Sequence, residues 1–186
     1  GKGPAKHKIG RNEESVMRLI VSDRPLNLDV CKLAHTECID LSKLKIANCI
    51  GCFGCWVKTP GRCVIRDDAV QVYPRIAESN QVMYISKVKY GSYDSPMKTM
   101  LERSLPVQQA FIRLVDGETH HVQRNVASKQ AVIIGYGDIS DEEKAVFCQL
   151  IARNAKNMQF ENYRVIFTTE DALEEAVQNE VLAWEK

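Results

Sequence analysis

Residues 81–86 (Gln-Val-Met-Tyr-Ile-Ser) and 130–136 (Gln-Ala-Val-Ile-Ile-Gly-Tyr) are apolar almost without a break. A strand with one wet face alternates polar and apolar residues, so such runs suit strands buried on both faces, as in a parallel sheet covered by helices. Three further β-rich runs, at 16–22, 37–41 and 163–167, share this character. Between the runs the period changes to that of a helix. Asp67-Asp68 opens one, with Val70, Val72, Tyr73, Ile76 and Ala77 as its apolar stripe. Ser95-Pro96 opens a second, and Ser140 with an acidic first turn opens a third that carries Phe147, Leu150, Ile151 and Met158. Thr169 caps the last, striped by Leu173, Ala176, Val177 and Val181.

Five strands alternating with helices specify an α/β protein, and right-handed crossovers make it a doubly wound parallel sheet. The order 2-1-3-4-5 is one of two common solutions, with its ligand site at the carboxyl ends of the strands flanking the switch point. About a dozen residues separate strands 1 and 2, so the first crossover helix is short or missing. Residues 111–115 and 118–124 form a hairpin around Asp116-Gly117. The adjacent His120 and His121 on its second limb point to opposite faces and read as surface or partner-facing.

At 186 residues the chain is one domain, residues 16–186, preceded by a basic leader or flexible tail at 1–15. A net charge of +1 leaves no footprint for nucleic acid, and no apolar run is long enough for a membrane span. Seven cysteines without a secretory signal suggest a reduced, cytoplasmic protein.

Four of those cysteines, Cys49, Cys52, Cys55 and Cys63, fall in the pattern C-x2-C-x2-C-x7-C, with Gly51 and Gly54 between the first three. A thiol every third residue lets thiolates converge as the backbone turns, and the first three match the spacing of bacterial ferredoxins. The same residues suit a zinc site, reversible disulfides, or buried unreactive thiols.

Cys49 to Asp68, then Ile85-Ser86-Lys87-Val88-Lys89-Tyr90-Gly91-Ser92, then Lys98 and Glu102-Arg103, resemble the NAD(P)H-dependent FMN reductase and iron–sulfur flavoprotein group of flavodoxin-like proteins. The resemblance implies an FMN-containing oxidoreductase that takes hydride from NAD(P)H and passes electrons to a small-molecule or protein acceptor. A [4Fe-4S] cluster on the four cysteines is part of that implication, and a homodimer is among the assemblies it allows. Tyr90, Gly91 and Ser92 fall where the group's loop meets the flavin ring, and Gly135, Tyr136 and Gly137 fall at its second ring-facing loop. The group's Gly-Ser-rich phosphate loop is replaced by Ser22-Asp23-Arg24-Pro25-Leu26-Asn27. The phosphate role would then pass to Arg24, Lys87 or Lys89, with weaker hold. A cofactor-free binding module and a thiol or iron–sulfur redox sensor are the alternative functions.

Overall fold

The computed structural model of the protein describes residues 17–27 and 35–184. The leader expected at 1–15 and most of the first crossover lie outside the described residues. Strand β1 (Arg18–Ser22) pairs in parallel with β2 (Thr36–Asp40) on one side and β3 (Gln81–Lys89) on the other. Beyond β3 come β7 (Lys129–Tyr136) and β8 (Phe160–Thr168), also parallel, giving the path β2-β1-β3-β7-β8. This is the expected 2-1-3-4-5 order.

Alternation along the strands sends side chains into two separate layers. Leu19, Val21, Val82, Tyr84, Ala131 and Ile133 meet helices α2 (Ala69–Glu78), α3 (Ser95–Glu102) and α4 (Asp141–Met158) through Val72, Ile76, Met97, Met100, Phe147 and Ile151. The intervening Ile20, Met83, Ile85, Val132 and Ile134 face α5 (Leu173–Trp184) through Leu173, Val177 and Val181. Each such side chain, fully buried, contributes roughly 1.5–3 kcal/mol of transfer free energy.

Two features depart from the sequence reading. First, β3 runs past Ser86 to Lys89 and folds back antiparallel on β4 (Ser92–Tyr93), pairing Lys89 with Ser92 and Val88 with Tyr93. Alternating lysines in 87–89 look like a loop, yet Val88 between them is buried. The expected hairpin is present as β5 (Gln108–Val115) and β6 (Glu118–Gln123), in a two-stranded sheet of its own. The second departure is that this hairpin folds back on α4, so His120 is buried rather than surface-facing. Its ring nitrogens lie 3.1 Å from Asn157 Oδ1 and 3.2 Å from Glu118 Oε2.

Candidate functional site at the carboxyl edge of the sheet

The ends of β1, β3 and β7 meet at Asp23. Its Oδ2 accepts from the Lys87 backbone N–H (2.7 Å) and the Ser86 hydroxyl (3.0 Å), and its Oδ1 accepts from the Tyr136 hydroxyl (2.8 Å). Burial pushes the Asp23 carboxyl above its ordinary pKa, against the lowering effect of those three donors. Asp23 is therefore the clasp of three strand ends.

The predicted site residues divide into two groups around this clasp. Arg24, Lys87, Tyr136 and Gly137 come together. Arg24 lies 5.7 Å from the Tyr136 ring centroid and pairs with Glu170 at 2.8 Å, which Lys87 also approaches at 3.4 Å. A Cβ on Gly137 would stand 3.7 Å from the Lys87 side chain. Tyr136 is buried, with its hydroxyl committed to Asp23.

The second group forms the β3–β4 hairpin. Lys89 pairs with Asp94 at 3.0 Å, and Ser92 sits at the start of β4. Tyr90 and Gly91 make the turn with φ of 54° and 69°. Tyr90 is 94% exposed, and its backbone N–H is held by Glu143 Oε1 at 2.8 Å. Gly91 is buried, and a Cβ there would meet Val146 of α4 at 2.7 Å. Gly135 is likewise a packing glycine, at which a Cβ would stand 2.7 Å from Val88 and 3.2 Å from Phe167.

A cavity of about 190 Å³ opens beside the ends of β1 and β2, lined by Ser22, Arg24, Leu26 and Lys43 among others. Lys43, which is paired with Asp40 at 3.1 Å, adds positive charge that the sequence reading missed. Nothing in its neighbourhood of the chain marks it. The parallel pairing of β1 with β2 brings it beside Arg24.

The cysteine loop follows β2 and carries the one-turn helix α1 (Gly54–Val57). Cys49, Cys52, Cys55 and Cys63 are free thiols that together line one cavity of about 40 Å³, closed by Phe53, Trp56 and Leu105. Burial, then the neighbouring Cys63, pushes the Cys55 thiol up. Trp56 holds the loop down, donating from Nε1 to Leu105 O (3.2 Å) and stacking 4.6 Å from His121.

Behind the thiols lies Arg103, buried, whose Nη1 and Nη2 donate to the two oxygens of Asp67 at 2.7 and 2.8 Å. The same guanidinium reaches Ala47 O (2.7 Å) and Cys63 Sγ (3.4 Å). The Asp67-Asp68 pair, expected as a helix cap, does more than cap. Asp67 accepts from Ala69 N (3.2 Å) at the start of α2, and also from Ala47 N (2.8 Å). Asp68 accepts from Lys45 N (2.7 Å). These bonds fix the start of the cysteine loop to its end.

The four thiols ring a shared space. Among the described residues, no three His, Cys, Asp or Glu side chains are grouped to hold a single metal ion. A backbone N–H, from Gly54, points at Cys52 Sγ (3.4 Å), and Arg103 donates to Cys63 Sγ. Four thiols, two of them with N–H donors to sulfur, are a donor set that a cluster would use.

No protein-family model matches the chain. It is 32% identical over 77 residues to an iron–sulfur flavoprotein of Methanocaldococcus jannaschii, spanning 41% of this chain and 39% of that protein. It is 39% identical over 72 residues to an iron–sulfur flavoprotein of Archaeoglobus fulgidus, spanning 39% of this chain and 32% of that protein. In structure it is similar to an FMN-dependent NADH-azoreductase from Bacillus anthracis, in complex with FMN. That likeness has a TM-score of 0.58 and 10% identity, over 89% of this chain and 95% of that one. It is also similar to the NAD(P)H:quinone oxidoreductase of Methanothermobacter marburgensis, with TM-score 0.54 and 12% identity, over 90% and 96% of the two chains. These likenesses show a flavodoxin-like fold.

Proposed function

For a flavodoxin-like chain related over about two fifths of its length to iron–sulfur flavoproteins, we propose an FMN-dependent NAD(P)H oxidoreductase. The observation that carries this reading is the meeting of Arg24, Lys87, Tyr136 and Gly137 at the carboxyl ends of β1, β3 and β7. In a sheet of this order that is the switch point, where ligands bind. Bound FMN would supply hydride acceptance and the delivery of electrons onward.

The chain's own residues have the remaining tasks. Arg24 and Lys43 offer charge to a phosphate at the cavity between β1 and β2. Asp23 keeps the three strand ends in register, so the loops that border the cleft stay fixed. Tyr90, fully exposed on a turn with positive φ, is the aromatic face available to a planar ring. Backbone strain of this kind costs of order 1–3 kcal/mol and concentrates at functional sites. The thiols of Cys49, Cys52, Cys55 and Cys63 would hold a cluster as its ligands, with Arg103 and the Gly54 N–H bonded to the sulfurs.

A second reading has one observation in its favour. Glu170 already pairs both Arg24 and Lys87, as suits a cofactor-free binding module. Anaerobic assay separates the two. FMN-loaded protein should oxidise NADH or NADPH and reduce a quinone or azo dye, whereas a binding module would show no turnover above free FMN. Reconstituted protein should also hold iron and sulfide at cluster stoichiometry, both lost in Cys52→Ser. Iron-free wild-type protein would remove the cluster from this reading.

A further inference from the structure

Away from the carboxyl edge, a cavity of about 400 Å³ lies between α3, α4 and the β5–β6 hairpin. It reaches Lys129 and Phe160, the first residues of β7 and β8, and so extends to the opposite edge of the sheet from the proposed cofactor cleft. Its size is that of a small-ligand site. Leu101, Leu150, Met158 and Phe160 line it, and each stays only partly buried although it packs against the main core. An unfilled space lined by such side chains costs stability that a ligand would restore.

One wall carries a charge without a counter-charge. Lys129 is 2% exposed, and its ammonium donates to Ala127 O at 2.7 Å and Ala77 O at 3.4 Å. An ammonium has three protons, so these bonds leave one over. No carboxylate among the described residues forms an ion pair with it. The other polar side chains of the cavity are engaged elsewhere, Lys98 with Glu102 and His120 with Glu118 and Asn157. Lysine is almost never so buried unless it is paired. Burial alone pushes its pKa down to about 8, which an anion beside it would reverse.

We propose that this cavity is a second ligand site, which takes a small apolar carboxylate with its hydrocarbon body between α3 and α4 and its carboxylate on Lys129. Ser92 of β4, one of the expected flavin-facing residues, also lines the cavity, but Lys129 and Leu150, on which the proposal turns, lie outside that cleft.

Calorimetric titration of the full chain at pH 7 with octanoate, octan-1-ol and octylammonium tests it. Octanoate should bind at least tenfold tighter than octan-1-ol, and octylammonium weakest of the three. Lys129→Met should remove the octanoate advantage and leave octan-1-ol within threefold of wild type. Leu150→Trp, which fills the cavity from its wall, should weaken octanoate and octan-1-ol at least tenfold. Equal affinities in wild type, no octanoate binding, or an octanoate preference that survives Lys129→Met would each overturn the proposal. If Lys129→Met does not fold, the order of the three ligands on wild type and the Leu150→Trp result decide alone.

Discussion

Arg103 makes five hydrogen-bond contacts, to Ala47, Cys63, Ile65 and twice to Asp67, from a side chain with no solvent exposure. It joins the end of α3 to both ends of the cysteine loop. Arg103→Ala leaves Asp67 without its partner, and breaking a buried pair in this way costs about 3–5 kcal/mol. Urea denaturation should register that loss, and Arg103→Lys should recover only part, because an ammonium lacks the planar fork. Nothing local in the sequence marks Arg103 as buried, and its burial follows from a loop forty residues earlier. Gly91 shows the opposite case. Its role in a turn was legible, but its neighbour was not, since Val146 belongs to a helix far along the chain. Gly91→Ala should destabilise by roughly 1–3 kcal/mol from the positive φ and the clash together. Adding Val146→Ala removes the Cγ1 clash but leaves the Cβ one, also at 2.7 Å, so a double-mutant cycle should recover only part of the steric loss.

At the scale of elements, α4 shows how a local signal also positions the cleft. Ser140 Oγ accepts from Glu143 N, and Glu143 Oε2 accepts from Ser140 N, each at 3.2 Å. The other oxygen of Glu143 holds the strained Tyr90 N–H. Ser140→Ala should cost ~1 kcal/mol, the usual value of an N-cap. Glu143→Ala should cost more and also raise amide exchange at Tyr90, which mass-resolved hydrogen exchange would detect. The Ser140 N-cap and the Asp116-Gly117 turn were legible because their rules span three or four residues. The extension of β3 and the burial of Lys129 were not. Both depend on partners that only the folded sheet supplies, β4 and the C-terminal carbonyl of Ala77.

Across the whole molecule, carboxylates tie separate layers together and set its response to acid. Burial works to raise Asp67 and Asp94, but hydrogen bonds from Arg103 to the first and from the Ser95 N–H and Lys89 to the second hold both below the ordinary carboxylate value. Arg153 and then Lys156 hold Glu118 down to about 2, which links the hairpin to α4. A carboxyl depressed in the folded state adds stability above its unfolded pKa and loses it as pH falls through the folded value. Asp23 is raised, so its protonation works the other way, with the opposite sign. Asp40 and Glu142 are depressed as well, and five depressed carboxyls against one raised predict a melting temperature that declines below about pH 4. Thermal scans from pH 7 to pH 3 would check this, and Arg153→Ala with Lys156→Ala should flatten part of the slope. Five apolar runs and the handedness of crossovers made a doubly wound parallel sheet readable, but left 2-1-3-4-5 as one of two common orders. The cleft's charge pattern was not, because Glu170 meets Arg24, and Lys43 shares its cavity, only in the folded sheet.

The central claim is that the carboxyl edge of this sheet holds a flavin. Titration of anaerobically prepared protein with FMN, followed by quenching of flavin fluorescence, tests it most directly. The account predicts saturable one-to-one binding, weakened at least tenfold by Arg24→Ala and unchanged by Lys129→Met at the opposite edge. Folded protein that leaves FMN fluorescence unquenched at saturating concentration, or binding that Lys129→Met weakens and Arg24→Ala does not, would contradict it.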